Sequence, residues 1–171
     1  MSEQAHSLPD FAAAWVLSAE GGYVDDPVDR GGATKYGISQ RSYPDLDIQA
    51  LTRAEALAIY ARDYWHAYRC GDLPPALGLL LFDGVVQHRP KTAVQIFQMA
   101  VGVRADGLIG PVTLQAGQHA SLEYVLDAVL VRRADLYVTL VGANSSQARF
   151  LDGWLARLFR LQRAALAVRH D

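Results

Sequence analysis

The sequence predicts a mainly α-helical, single globular domain with one small β-hairpin or loop region at about 21–40. Three observations lead there. Apolar residues recur at helical spacing through most of the 171 residues. Segment 21–40 breaks that period with five glycines and several turn residues. Prolines stand where helices begin, at Pro9, Pro75 and Pro111.

In chain order, the first helix runs from 10 to 20 and stops at Gly21-Gly22. Thr52-Arg53-Ala54-Glu55 has the spacing of a capping box and opens a helix to about Arg69. Leu57, Tyr60, Ala61, Tyr64, Trp65 and Tyr68 form its apolar stripe. Pro74-Pro75 start a helix that is apolar nearly all round, which predicts a central, buried position, and Pro90 ends it. A short amphipathic helix at 91–101 is closed by Gly102. Ala105-Asp106-Gly107-Leu108-Ile109-Gly110-Pro111 turns the chain into another helix. Ser121 is placed to cap a long helix to Gly142, and Asn144-Ser145-Ser146 is a loop. The last helix covers roughly 147–168, with Leu151, Trp154, Leu155, Leu158, Leu161 and Ala165 on one face and its arginines in water.

Composition narrows the function classes. The chain is 51% hydrophobic and 20% charged, an ordinary balance for a soluble globular protein. Net charge is −2, and no nucleic-acid motif appears, so no nucleic-acid partner is expected. Residues 1–63 carry ten acids and five bases, whereas 147–171 carry five arginines and two aspartates. The single Cys70 excludes an intrachain disulfide framework and lacks a papain-like signature. His66, His88 and His119 lack zinc-ligand spacing such as H-E-x-x-H, so neither metal nor cofactor is expected. Residues 1–10 have neither a basic start nor an apolar core, so no signal peptide is expected.

Chemistry concentrates at Glu20. It stands where the first helical pattern stops, followed by Asp25, Asp26, Asp29 and Thr34. Glycoside hydrolysis commonly needs one protonated and one ionised group on opposite sides of the bond. A carboxyl at a helix C-terminus faces the negative end of the macrodipole, and Val16 and Leu17 one turn back can strip it of water. Both effects favour the protonated form, so Glu20 suits the general acid. Asp29, nine residues later, is placed to face it across a cleft, and Thr34 to hold a water; Asp25 and Asp26 compete for the second role. The plainer alternative is a solvated Glu20 and aspartates that only make turns.

These residues also carry a resemblance. Glu20-Gly21-Gly22-Tyr23-Val24, Asp26-Pro27, Asp29, Gly31-Gly32, Thr34 and Tyr36-Gly37-Ile38 resemble the N-terminal signature of glycoside hydrolase family 108. These are lysozyme-like N-acetylmuramidases of phage endolysins and related bacterial proteins. The similarity continues through Leu51-Thr52-Arg53-Ala54-Glu55-Ala56, Tyr60, Tyr64-Trp65, Leu73-Pro74 and Leu81-Phe82-Asp83. Phe97-Gln98, Gly102-Val103, Ala105-Asp106-Gly107, Ile109-Gly110-Pro111, Thr113-Leu114 and Gly153-Trp154-Leu155 with Arg157 resemble the family's C-terminal peptidoglycan-binding region. Gln87-His88-Arg89 departs from it, standing where the family tends to have Asn and then Gly.

The resemblance implies a lysozyme-like (α+β) fold with a catalytic region at 1–90 and a helical peptidoglycan-binding-like region at 91–171 in the same globule. It implies hydrolysis of the β-1,4 bond between N-acetylmuramic acid and N-acetylglucosamine, with Glu20 as catalytic acid and Asp29 and Thr34 beside it. Tyr23, Asp26, Tyr36, Tyr43 and Gln87 are the expected substrate contacts, the tyrosines because aromatic faces suit the apolar faces of sugars. The expected setting is host lysis by a monomer made in the bacterial cytoplasm and released to the periplasm by a holin. The basic, amphipathic segment 147–169 is a candidate for anionic outer-membrane lipid. The rival readings are a non-catalytic peptidoglycan-binding or membrane-disrupting protein, and the same muramidase used in toxin secretion or interbacterial attack. The turn at 105–111 reads as a helix-to-helix corner before it reads as a glycan contact.

Overall fold

The computed structural model describes residues 8–19 and 33–168. Among these the chain is mainly α-helical, with a single two-stranded antiparallel sheet inside the predicted 21–40 window. Backbone packing gathers the chain into two units, 1–67 and 68–171.

In the first unit, α1 spans Asp10–Ala19. Ala12, Trp15 and Val16 are its buried positions, one helical stripe. The strands β1 (Thr34–Lys35) and β2 (Ile38–Ser39) form a hairpin whose inner anchor is the buried Ile38. Helix α2 spans Arg53–Tyr60 and starts with the capping box read from the sequence. The Glu55 amide donates to Thr52 Oγ1 at 3.2 Å, and the Thr52 amide donates back to Glu55 Oε2 at 2.7 Å.

The predicted regular helix to Arg69 is interrupted. Ala61–His66 winds as a π-helix, whose wider turn takes in one extra residue and re-phases the stripe. Ala56, Ile59, Tyr60, Ala61 and Trp65 are buried, while Leu57 and Tyr64 are only half-buried. Trp65 meets the Phe11 ring edge-on, with centroids 5.9 Å apart.

In the second unit, a short 3₁₀ turn at Cys70–Asp72 leads into α3, Pro75–Gln87. Ten residues of α3 from Ala76 to Val85 are buried, as its all-round apolar sequence requires. Helices α4 (Pro90–Ala100), α6 (Leu122–Ala143) and α7 (Leu151–Val168) all pack on it. Helix α5 spans Pro111–His119. The apolar α3 is thus the core around which the second unit is built.

Two local expectations are corrected. Ser121 occupies the N-cap of α6, but its hydroxyl bonds Glu123 Oε2 at 3.0 Å instead of a helix amide. Residues 145–150 form a 3₁₀ turn ahead of α7, with Asn144 capping it through the Ser146 amide.

The corner at 105–111 has a physical basis in Gln98, 1% exposed on α4. Its Nε2 donates to Asp106 Oδ1 at 2.7 Å, Leu108 O at 3.0 Å and Thr113 Oγ1 at 3.1 Å. Its Oε1 accepts from the Gly107 amide at 2.8 Å. Gly107 has φ of 83°, and a Cβ there would stand 2.7 Å from Lys91 Cγ, so only glycine fits.

Candidate active site

Of the expected site residues, Glu20, Tyr23, Asp26 and Asp29 lie outside the described residues, as does the rival Asp25. Thr34, Tyr36 and Tyr43 fall in the first unit and Gln87 in the second.

Thr34 opens β1 and pairs in register with Ser39, as Lys35 does with Ile38. Tyr36 and Gly37 make the two-residue turn between them, with φ of 52° and 76°. Positive φ at both turn positions gives the twist that matches the flanking strands. Gly37 adopts it freely. Tyr36 adopts it at a cost on the order of 1 kcal/mol, because its Cβ crowds the following carbonyl.

Hydrogen bonds from Tyr60, Lys35 and Tyr43 help to hold this hairpin and the loop after it. Tyr60, 2% exposed, donates from its hydroxyl to the Tyr36 carbonyl at 2.9 Å. Lys35 Nζ donates to Gln49 O at 2.8 Å and lies 5.7 Å from the centroid of the Tyr36 ring. Tyr43 donates to Asp63 Oδ2 at 2.9 Å. Tyr60 is the last α-helical residue of α2, and Asp63 lies in the π-helix that follows.

Asp63 is itself gripped by Arg62 through Nε at 2.6 Å and Nη2 at 2.7 Å. The Arg62 bonds first, then the Tyr43 hydroxyl, hold its carboxyl below the usual range against partial burial. Burial and the bond to Asp63 push the Tyr43 phenol upward, so it remains a donor. The expected sugar platform Tyr43 has a half-buried ring, and its hydroxyl is committed to Asp63. In the sequence Tyr60 is one member of an apolar stripe, and Asp63 carries no motif. The signal for Asp63 is an acid inside the aromatic run Tyr60 to Trp65.

In the second unit the polar centre is Asp83, fully buried on α3. Arg133 of α6 and Arg157 of α7 both bond its carboxylate, Arg157 Nε at 2.9 Å. Burial alone would raise the Asp83 pKa; the two guanidiniums outweigh it and hold the carboxyl low. Arg157, expected in water, is therefore a core residue: its charge is spent on Asp83. Gln87 lies one turn from Asp83, and with its amide oxygen turned inward it accepts from Arg157 Nη1 at 3.1 Å. Arg133 Nε donates to His88 Nε2, and Arg133 Nη2 to the Tyr137 hydroxyl at 3.2 Å. Cys70 is buried and its thiol is pushed up, which leaves it without nucleophile character.

A mainly helical chain with a hairpin after its first helix, ending in a bundle around a buried acid, is a lysozyme-like architecture. Residues 13–88 match the glycosyl hydrolase 108 family, and residues 92–159 match a predicted peptidoglycan domain. The chain belongs to glycoside hydrolase family 108 and is a hydrolase acting on peptidoglycan. Its backbone is similar to that of Brucella abortus SagA, with a TM-score of 0.80 and 32% identity over 94% of this chain and 96% of that one. Among curated proteins none matches the sequence.

Proposed function

We propose that the protein is a muramidase that cleaves the β-1,4 bond between N-acetylmuramic acid and N-acetylglucosamine in peptidoglycan. Glu20 donates the proton to the leaving oxygen. Asp29 and Thr34 handle the water or the developing positive charge on the opposite face. The observation that carries this reading is the run from Glu20 through Asp29 to Thr34 within a chain of this family.

Among the described residues, the carboxyls of Glu55, Asp63, Asp83 and Asp106 are both bonded and held low, which supports the choice of acid. Glu55 closes a capping box, Asp63 is held by Arg62 and Tyr43, Asp83 by two arginines, and Asp106 by Gln98 and the Leu108 amide. All four are held below the usual carboxylate range by these bonds, the wrong direction for a general acid at neutral pH.

The proposed setting is cell lysis by a monomer that a holin releases to the periplasm. Anionic lipid contact would run through Arg149, Arg160, Arg163 and the exposed Phe159, since Arg157 is spent in the core. The test is Glu20→Gln. This variant is expected to keep its circular dichroism spectrum and melting temperature and to release no new reducing ends from purified peptidoglycan. Full release by the variant would overturn the assignment and favour a non-catalytic wall-binding role.

A further inference from the structure

We propose that Tyr60 is a positioning residue for the hydrolytic site, acting through the strained Tyr36 at the hairpin tip. The inference rests on the muramidase reading above.

A two-residue turn with both φ positive is ordinarily Asn-Gly, Asp-Gly or Gly-Gly. Here the first position is a tyrosine at φ of 52°. A side chain that strains its own backbone persists where the surroundings over-determine it, and such positions cluster at functional sites. The over-determining contact is visible: the buried Tyr60 hydroxyl bonds the carbonyl of Tyr36 itself, at 2.9 Å.

The consequence for the site follows from register. Thr34 is two residues before Tyr36 and pairs with Ser39, so any swing of the turn moves Thr34 with it. Lys35 on Gln49 O ties the same hairpin a second time. Tyr60 therefore fixes the tip, and it does so from the point where α2 gives way to the π-helix. With the tip fixed, the half-buried Tyr36 ring is presented in one orientation and Thr34 keeps one position. Tyr60 acts on the glycan through these two residues.

A double-mutant cycle on the full chain tests this, using solubilised peptidoglycan glycan strands and reading reducing ends alongside thermal melts. Tyr60→Phe is expected to lower kcat/KM about tenfold, the worth of one well-placed hydrogen bond. In a Tyr36→Gly background the same change is expected to cost less than about twofold, because glycine holds the left-handed backbone without a clamp. Equal losses in both backgrounds would make Tyr60 an ordinary packing residue and overturn the proposal, as would a fully active Tyr60→Phe. Tyr36→Asn supplies a second route that does not touch Tyr60. It is expected to raise the melting temperature by relieving strain while lowering kcat/KM. A Tyr36→Asn variant with full activity and no gain in melting temperature would also overturn the proposal. A wild-type protein that releases no reducing ends refutes the muramidase reading instead.

Discussion

Arg133 Nε donates to His88 Nε2 at 3.1 Å, and that bond requires the imidazole nitrogen to be unprotonated. Burial first, and then the Arg133 charge, lower the His88 pKa to about 4. An unfolded histidine titrates near about 6.5, so the unfolded chain takes up this proton first as pH falls. The stability tied to neutral His88 is complete above about 6.5 and is lost progressively down to about 4, at most roughly 3 kcal/mol. Chemical denaturation at a series of pH values is expected to find the midpoint falling across that window. In His88→Gln this part of the slope is expected to vanish. An unchanged slope in the variant would show that His88 is not the group responsible.

Asp83 is the single acid between two buried arginines, so removing it differs from removing either partner. Asp83→Asn leaves two guanidiniums in the core without a counter-charge and is expected to cost about 3–5 kcal/mol. Arg157→Met leaves the Asp83–Arg133 pair balanced and is expected to cost distinctly less. Urea unfolding of the two variants checks the order; a reversed order would mean that the second arginine, not the carboxylate, organises the cluster.

Gln98 satisfies groups from three residues of the corner after α4 and from Thr113 on α5. Gln98→Leu fills the same space and removes every one of these bonds, at about 1–3 kcal/mol. Hydrogen exchange at the Gly107 and Leu108 amides is expected to quicken in this variant, with the centre of α3 little affected. Unchanged exchange at Gly107 would mean that the glycine backbone, not Gln98, shapes the corner.

The parts of the fold that the sequence announced are those whose causes lie within a turn of one another. Thr52 and Glu55 cap a helix three residues apart, Pro75 and Pro111 start theirs, and the apolar circumference of α3 demands neighbours on every side. The parts it concealed depend on residues far apart in the chain. Asp83 meets Arg133 and Arg157 across 50 and 74 positions, so Arg157 passes for one of a row of solvated arginines on α7. A better clue is present: a charge on a helix apolar nearly all round must find its opposite somewhere. The same holds at the candidate site. Thr34 and Tyr36 follow from the family motif, whereas Tyr60 and Asp63 matter through bonds to Tyr36 and Tyr43, 24 and 20 positions away. The π-helix at Ala61–His66 has no signature in the sequence that the apolar stripe revealed.

That π-helix makes the number of residues, and not only their identity, part of the design. Between the cap at Thr52 and the aromatic pair at Trp65 the chain holds one residue more than a plain α-helix with the same two ends would use. Loss of any one residue from 61–66 would let the segment relax into an ordinary helix while turning Asp63 from Tyr43. A protein alignment that tolerates every substitution there would still have to keep its count.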